Sequence, residues 1–242
     1  MKQILLVPDS FKGTLTSRQV CETMAEQLHL VFPEADITSL PVADGGEGSV
    51  EAFLAAAGGE RVELPVTGPF GEPVRGFYGL LPDGETAVLE MAACAGLPLA
   101  EGRLDPERAT TYGVGELILD AIRRGRRKVI LGLGGSCTND GGVGRCRGSG
   151  GPSSPGRTAR SSCPPAALCR RLPPWTAPRG QGPGGVELVA MCDIDNPLYG
   201  ENGAAYVFAP QKGADGPMVE RLDQGLRHLG QVAGRCLGRD LS

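Results

Sequence analysis

Four short apolar runs in this chain end in loops of one chemical character, and that recurrence constrains the fold more than any single motif. QILLV (3–7) runs into Pro8-Asp9-Ser10-Phe11-Lys12-Gly13, and ITSLPV (37–42) into Ala43-Asp44-Gly45-Gly46-Glu47-Gly48. KVIL (128–131) runs into GLGGSCTNDGG (132–142), and LVAM (188–191) into Cys192-Asp193-Ile194-Asp195-Asn196. Short apolar runs bounded by turn residues read as strands buried on both faces of a parallel sheet. Ligands of such sheets bind in the crevice outside the carboxyl ends of the strands. One Asp-Gly or Asn-Asp loop alone is an ordinary turn, because these side chains bond their local backbone. Four of them at equivalent positions point to a site.

Between the runs the spacing becomes helical. Thr16-Ser17-Arg18-Gln19 has the form of a capping box, and Val20, Met24, Leu28, Val31 and Phe32 follow at helical intervals until Pro33. A second helix passes through Val50, Phe53 and Leu54 and ends at Gly58-Gly59. Residues 1–60 therefore read as β-loop-α-β-loop-α, a parallel α/β unit. From Arg61 the texture changes: VELPVTGPFGEPVRGFYGLL alternates β-formers with Gly-Pro turns, which predicts antiparallel strands and a second unit over 61–242. TAVLEMAAC reads as a strand entering a small-residue turn, and Gly115–Arg124 as a helix stopped by Gly125. A last amphipathic helix runs from Pro217 to about Cys236 through Val219, Leu222, Leu226, Leu229 and Val232. Cys21 and Cys236 fall on apolar helix faces and are expected in the core.

Composition excludes several function classes. A net charge of −4 argues against nucleic acid as the partner. No apolar run is long enough for a signal peptide or a membrane span, which predicts a cytosolic protein without a membrane partner. The eight cysteines form no C-x-x-C pair and the two histidines stand alone, so neither a zinc site nor a disulfide framework is favoured.

The loop chemistry suits phosphate. GLGGSCTNDGG offers backbone N–H groups unobstructed by large side chains, with Ser136 and Thr138 as hydroxyl donors. It is not a dinucleotide fingerprint, since Cys137 stands where the third glycine would be, and the chain has no P-loop. Asp44, Glu47, Asp140, Asp193 and Asp195 are candidates to hold Mg²⁺, or one of them to accept the proton of an attacking hydroxyl. Lys12 would offset charge on a carboxylate or a phosphate. Phosphoryl transfer needs mainly positioning and charge neutralisation, which these groups supply. Hydride and acyl transfer find less support, as neither a cofactor fingerprint nor a Ser-His pair is visible.

These residues carry a resemblance. PDSFKGTLT, LPVADGGEGS, TTYGVGEL, GLGGSCTNDGG, CDIDNPLYG and FAPQKGA, in this order, resemble signature segments of the bacterial class I glycerate kinases over residues 1–144 and 186–242. The resemblance implies a flavodoxin-like parallel α/β domain, incomplete here, plus a second α/β domain with a mixed sheet, and a site in the cleft between them. It implies transfer of a phosphoryl group from ATP to a hydroxyl of D-glycerate, with Mg²⁺. Carried onto this chain, Asp9, Ser10, Lys12 and Asp44 would line the glycerate end, and Gly134, Gly135, Ser136, Thr138 and Asn139 would face the phosphates. Asp193, Asp195 and Asn196 would serve the substrate hydroxyl or a metal, and Asp140 is a candidate metal ligand.

Two departures bear on activity. The 41 residues from Arg145 to Gly185 hold seven Arg, eight Pro and eight Gly, with no Asp, Glu, Lys, Ile, Val, Met, Phe or Tyr. That composition permits a linker or an Arg-Gly RNA-binding arm, but it fits best the out-of-frame codons of a GC-rich gene, a compensated frameshift. Eight prolines exclude regular helices and central strands, which predicts disorder over 145–185 with Trp175 partly exposed. The chain also stops at Ser242, before a TGEGRLD-like segment that the family carries, so part of the first domain is expected to be missing and activity impaired. The alternatives are a non-catalytic remnant and a kinase for another small hydroxy acid.

Overall fold

The computed structural model describes residues 2–11, 13–144 and 185–238. Lys12, Trp175 and the expected disorder over 145–185 lie outside the described residues, apart from Gly185 itself. The elements alternate from the start: β1 (Gln3–Leu6), α1 (Ser17–Val31), β2 (Asp36–Ser39) and α2 (Ser49–Ala57). β1 and β2 pair in parallel, with Gln3 opposite Asp36 and Leu6 opposite Ser39. The capping box at Thr16 forms: its hydroxyl accepts from Gln19 N while the Gln19 side chain accepts from Thr16 N.

The second unit is a mixed five-stranded sheet in the order β3-β4-β5-β6-β7. β3 (Glu60–Thr67) and β4 (Pro73–Leu80) form an antiparallel hairpin, and β4 joins β5 (Thr86–Glu90) antiparallel. β5, β6 (Lys128–Gly132) and β7 (Glu187–Met191) run parallel. α3 (Ala92–Ala95) follows β5 at once, and α4 (Tyr112–Arg123) covers the sheet. Val114, Leu117, Ile118 and Ala121 of α4, spaced to line one helix face, are buried with Val66, Tyr78, Leu89 and Val129 of the strands. α5 (Ala204–Phe208) and α6 (Gly216–Leu237) make a separate cluster of Ala205, Ala209, Val219, Leu222 and Leu226. Asp215 caps α6 by accepting from Met218 N at 2.8 Å.

Three expectations need correction. α4 begins at Tyr112 and not at Gly115, because Gly113 is there for close packing: a Cβ on it would sit 2.0 Å from Thr67 O of β3. β1 is not buried on both faces. It has one strand neighbour, and Leu5, at 62 % exposure, lies uncovered. Cys21 is in the core as expected, whereas Cys236 is only half-buried near the end of α6.

Candidate functional site

The carboxyl ends of the parallel strands converge through backbone rather than side chains. The loop after β2 and the loop after β6 touch where Gly134 N donates to Gly45 O at 3.0 Å. A Cβ on Gly132 would lie 2.3 Å from Gly45 O, and one on Gly134 would lie 2.8 Å from Gly46 Cα. A Cβ on Gly45 would in turn lie 3.2 Å from the carbonyl oxygen of Met191, the last residue of β7. Glycine is required here because no side chain fits between strands of loop this close. Three of the four acidic or glycine-rich loops thus meet at one place.

The fourth is tied in by Ser17. Its hydroxyl donates to Pro8 O at 2.6 Å and accepts from Val42 N at 3.0 Å, which links the Asp9 loop to the Asp44 loop. Asp9 is exposed and bonds Ser10 N, and Asp44 accepts from Gly46 N at 3.0 Å beside Gly134. Asp44 and the glycines of the phosphate-suited loop are therefore neighbours.

That loop has a fixed course. Leu97 N donates to Gly135 O and Cys137 N to Ala95 O, so residues 135–137 run antiparallel to the turn after α3. Gly135, at φ +70°, stands exposed, Ser136 is half-covered, and Thr138 and Asn139 are buried. Asp193 and Asp195 are exposed on the loop after β7, and Asn196 donates to Asn202 O at 2.9 Å, shaping its own loop. The described hydrogen bonds do not tie these three to the glycine loops.

Asp140 is engaged in holding the fold together. Its carboxylate, 1 % exposed, accepts from Thr111 N, the Thr111 hydroxyl, Gly142 N and Gly144 N, all at 2.9–3.1 Å. It places a negative charge at the N-terminus of α4, where the helix dipole favours it. Among the described residues no three His, Cys, Asp or Glu side chains gather closely enough to hold a metal ion. The magnesium implied by the resemblance finds no ready-made cradle among them.

Sequence reasoning missed two residues. Glu90, at the carboxyl end of β5 and 1 % exposed, accepts from Val50 N at 3.1 Å and Gly48 N at 3.4 Å. It pins the Asp44 loop and the start of α2 to the main sheet. Its only sequence signal was a carboxylate closing an apolar strand. Burial pushes its carboxyl up to about 7, the bond from Val50 N opposes that, and Glu51 and Glu47 add to it. Because the folded value exceeds the unfolded one, the native state keeps this proton between about pH 4.5 and 7, and the group's contribution to stability declines as pH rises through that window. Glu90→Gln should therefore flatten the pH dependence of the urea midpoint between pH 5 and 8. An unchanged slope would rule Glu90 out as the source. The other missed residue, Lys212, lies in the FAPQKGA segment and donates from Nζ to Thr138 O at 2.6 Å and Ser136 Oγ at 3.1 Å.

Comparison with known proteins gives the chain its family. The sequence model of the Glycerate kinase family matches residues 4–242. The chain is 42 % identical over 248 residues to the glycerate kinase of Bacillus subtilis (strain 168), across 98 % of this chain and 62 % of that protein. It is 39 % identical to the glycerate 2-kinase of Escherichia coli (strain K12), across 99 % of this chain and 63 % of that protein. The crystal structure of a putative glycerate kinase 2 from Salmonella typhimurium LT2 superposes with a TM-score of 0.81 at 37 % identity, covering 100 % of this chain and 66 % of that one. The chain thus spans a little under two thirds of the length of these relatives. With nearly every residue matched by the family model and about 40 % identity to its members, the chain belongs to the glycerate kinase family.

Proposed function

We propose that this chain carries the machinery for moving the terminal phosphoryl group of ATP onto a hydroxyl of D-glycerate. The observation that supports it best is the backbone contact between the Asp44 loop and the Gly134 loop, which sets an acidic, acid-binding end against a phosphate-suited one. On this reading Gly134, Gly135, Ser136, Thr138 and Asn139 surround the phosphates with N–H and O–H donors. Asp9, Ser10, Lys12 and Asp44 hold the small acid, with Lys12 meeting its carboxylate. Asp193 or Asp195 takes up the proton that the attacking oxygen loses as its bond to phosphorus forms and the bond to ADP breaks, and Asn196 helps to orient the substrate hydroxyl. Positioning and charge neutralisation are all such a transfer asks of the protein. The division into units 1–60 and 61–242, with the site between them, belongs to the same proposal. So does a cytoplasmic setting, where ATP and small organic acids are found; none of the described helices is long and apolar enough to cross a membrane.

The test is glycerate-dependent release of ADP, followed for the parent chain and for Asp44→Asn. Turnover that falls at least about 100-fold in the variant, with an unchanged unfolding midpoint, is the expected result. No turnover at any ATP concentration would make this chain a non-catalytic member of its family. Turnover with a different small hydroxy acid alone would keep the reaction type and replace the acceptor.

A further inference from the structure

Lys212 poses an electrostatic problem. It closes a short 3-10 turn, Pro210–Lys212, after α5, and only 7 % of it is exposed. Among the described residues no carboxylate lies within ion-pair distance of its ammonium. A buried charge without a counter-charge is costly to keep. Burial accordingly pushes Lys212 down to about 8, while Cys137 and Asp140 of the neighbouring loop push it back up. At neutral pH it remains a cation, placed directly beneath the loop that suits phosphate.

Donor and acceptor counting then fixes Ser136. An ammonium has three donors and no acceptor, so in the 3.1 Å contact between Lys212 Nζ and Ser136 Oγ the serine must accept. The serine's own O–H hydrogen has to point elsewhere, away from the lysine. Thr138 O accepts from the same ammonium at 2.6 Å, which holds the loop's next turn in place. Asn139 Nδ2, in the same loop, is buried with no acceptor. The loop therefore holds donors without matching acceptors, above a buried cation that makes no ion pair among the described residues.

We infer that Lys212 and Ser136 form an oligophosphate-binding pair, in which the buried ammonium supplies the charge and the serine hydroxyl, turned outward by it, makes the contact. This deepens the phosphoryl-transfer reading and rests on it only for the identity of the phosphate carrier. Lys212 is a positioning residue in this scheme, and Ser136 is the group that touches the ligand.

The experiment is calorimetric titration of the full chain at pH 7 with two probes, ATP and inorganic tripolyphosphate, on the parent, Lys212→Met, Ser136→Ala and the double variant. Each single change should weaken both probes about tenfold, and the double variant should fall well short of the product of the two losses, because the lysine acts in large part through the serine. Independent losses that multiply to about 100-fold, or a Lys212→Met chain that binds tripolyphosphate like the parent, would overturn the pair. Lys212→Met removes an unpaired buried charge and is expected to fold. Should it not, a pH series on the parent and Ser136→Ala gives the same answer: tripolyphosphate affinity must drop above about pH 8 in the parent and stay flatter in Ser136→Ala. Parallel curves reject the pair. Binding of tripolyphosphate but not ATP sinks the nucleotide reading and leaves the pair standing. Binding of neither by the parent sinks both.

Discussion

Gly132→Ala should cost the protein about 1–3 kcal/mol of stability and lower any turnover at least about 100-fold. The added methyl would sit 2.3 Å from Gly45 O and 3.0 Å from Gly45 C, and both atoms are backbone, so no side chain can swing aside to make room. Restoring an ordinary carbon–oxygen contact requires the two loops to separate by about 1 Å, and a displacement of that size is enough to misalign reacting groups. The bond from Gly134 N to Gly45 O, two residues on, would be stretched by the same movement. Gly216→Ala is the control: nothing lies within 4 Å of the added carbon, and its stability should change by less than about 0.5 kcal/mol. Urea unfolding of both variants, alongside nucleotide titration, reads the difference. Equal midpoints for the two would refute the claim that this contact joins the halves of the site.

Asp140→Asn should destabilise the fold by at least about 1–3 kcal/mol, nearly as much as Asp140→Ala. The carboxylate accepts four bonds, from Thr111 N, the Thr111 hydroxyl, Gly142 N and Gly144 N, and all its donors face inward. An amide keeps the size and one acceptor oxygen, but its NH2 group would confront N–H donors, leaving buried groups unmatched. A carboxylate whose work was to hold a metal would show the opposite pattern: activity lost, unfolding midpoint kept. Thermal or urea unfolding without any ligand present separates the two. The structural role also ties the segment TTYGVGEL to GLGGSCTNDGG, since Thr111 of the first is clamped by Asp140 of the second.

Elements whose physics is local were legible from the chain. The capping box at Thr16, the hairpin of β3 and β4, and the apolar stripe of α6 all depend on neighbours a few residues apart, and each formed as expected. The order of strands and loops also set the 43–48 and 132–142 loops at equivalent strand ends, and Gly134 N does donate to Gly45 O between them. What could not be read depended on distant partners. Gly113 looks like a helix breaker until Thr67 O is seen 2.0 Å from where its side chain would be. Asp140 looks like a metal ligand until Thr111, 29 positions earlier, is seen to occupy it. Lys212 looks like a surface lysine because nothing in its own segment reveals that Ser136, 76 residues away, covers it.

The two sheets that support the crevice differ in stiffness. The Gly134 loop rests on a five-stranded sheet with a helix-covered core, whereas the Asp9 loop follows one of two strands of four residues each, and the Asp44 loop, though it leaves the same small sheet, is pinned to the larger one by Glu90. A two-stranded sheet is marginal by itself in water. Its amides are expected to exchange with solvent first, at a free energy well below that of global unfolding. A ligand held at the phosphate end meets a surface already ordered. On the proposed reading, an acid bound beside Asp9 would have to order a less stable scaffold as it binds, and would give up affinity to conformational entropy in doing so. The small acid should therefore bind with a larger unfavourable entropy than the phosphate carrier, and should slow amide exchange in β1 and β2 more than in β5 and β6.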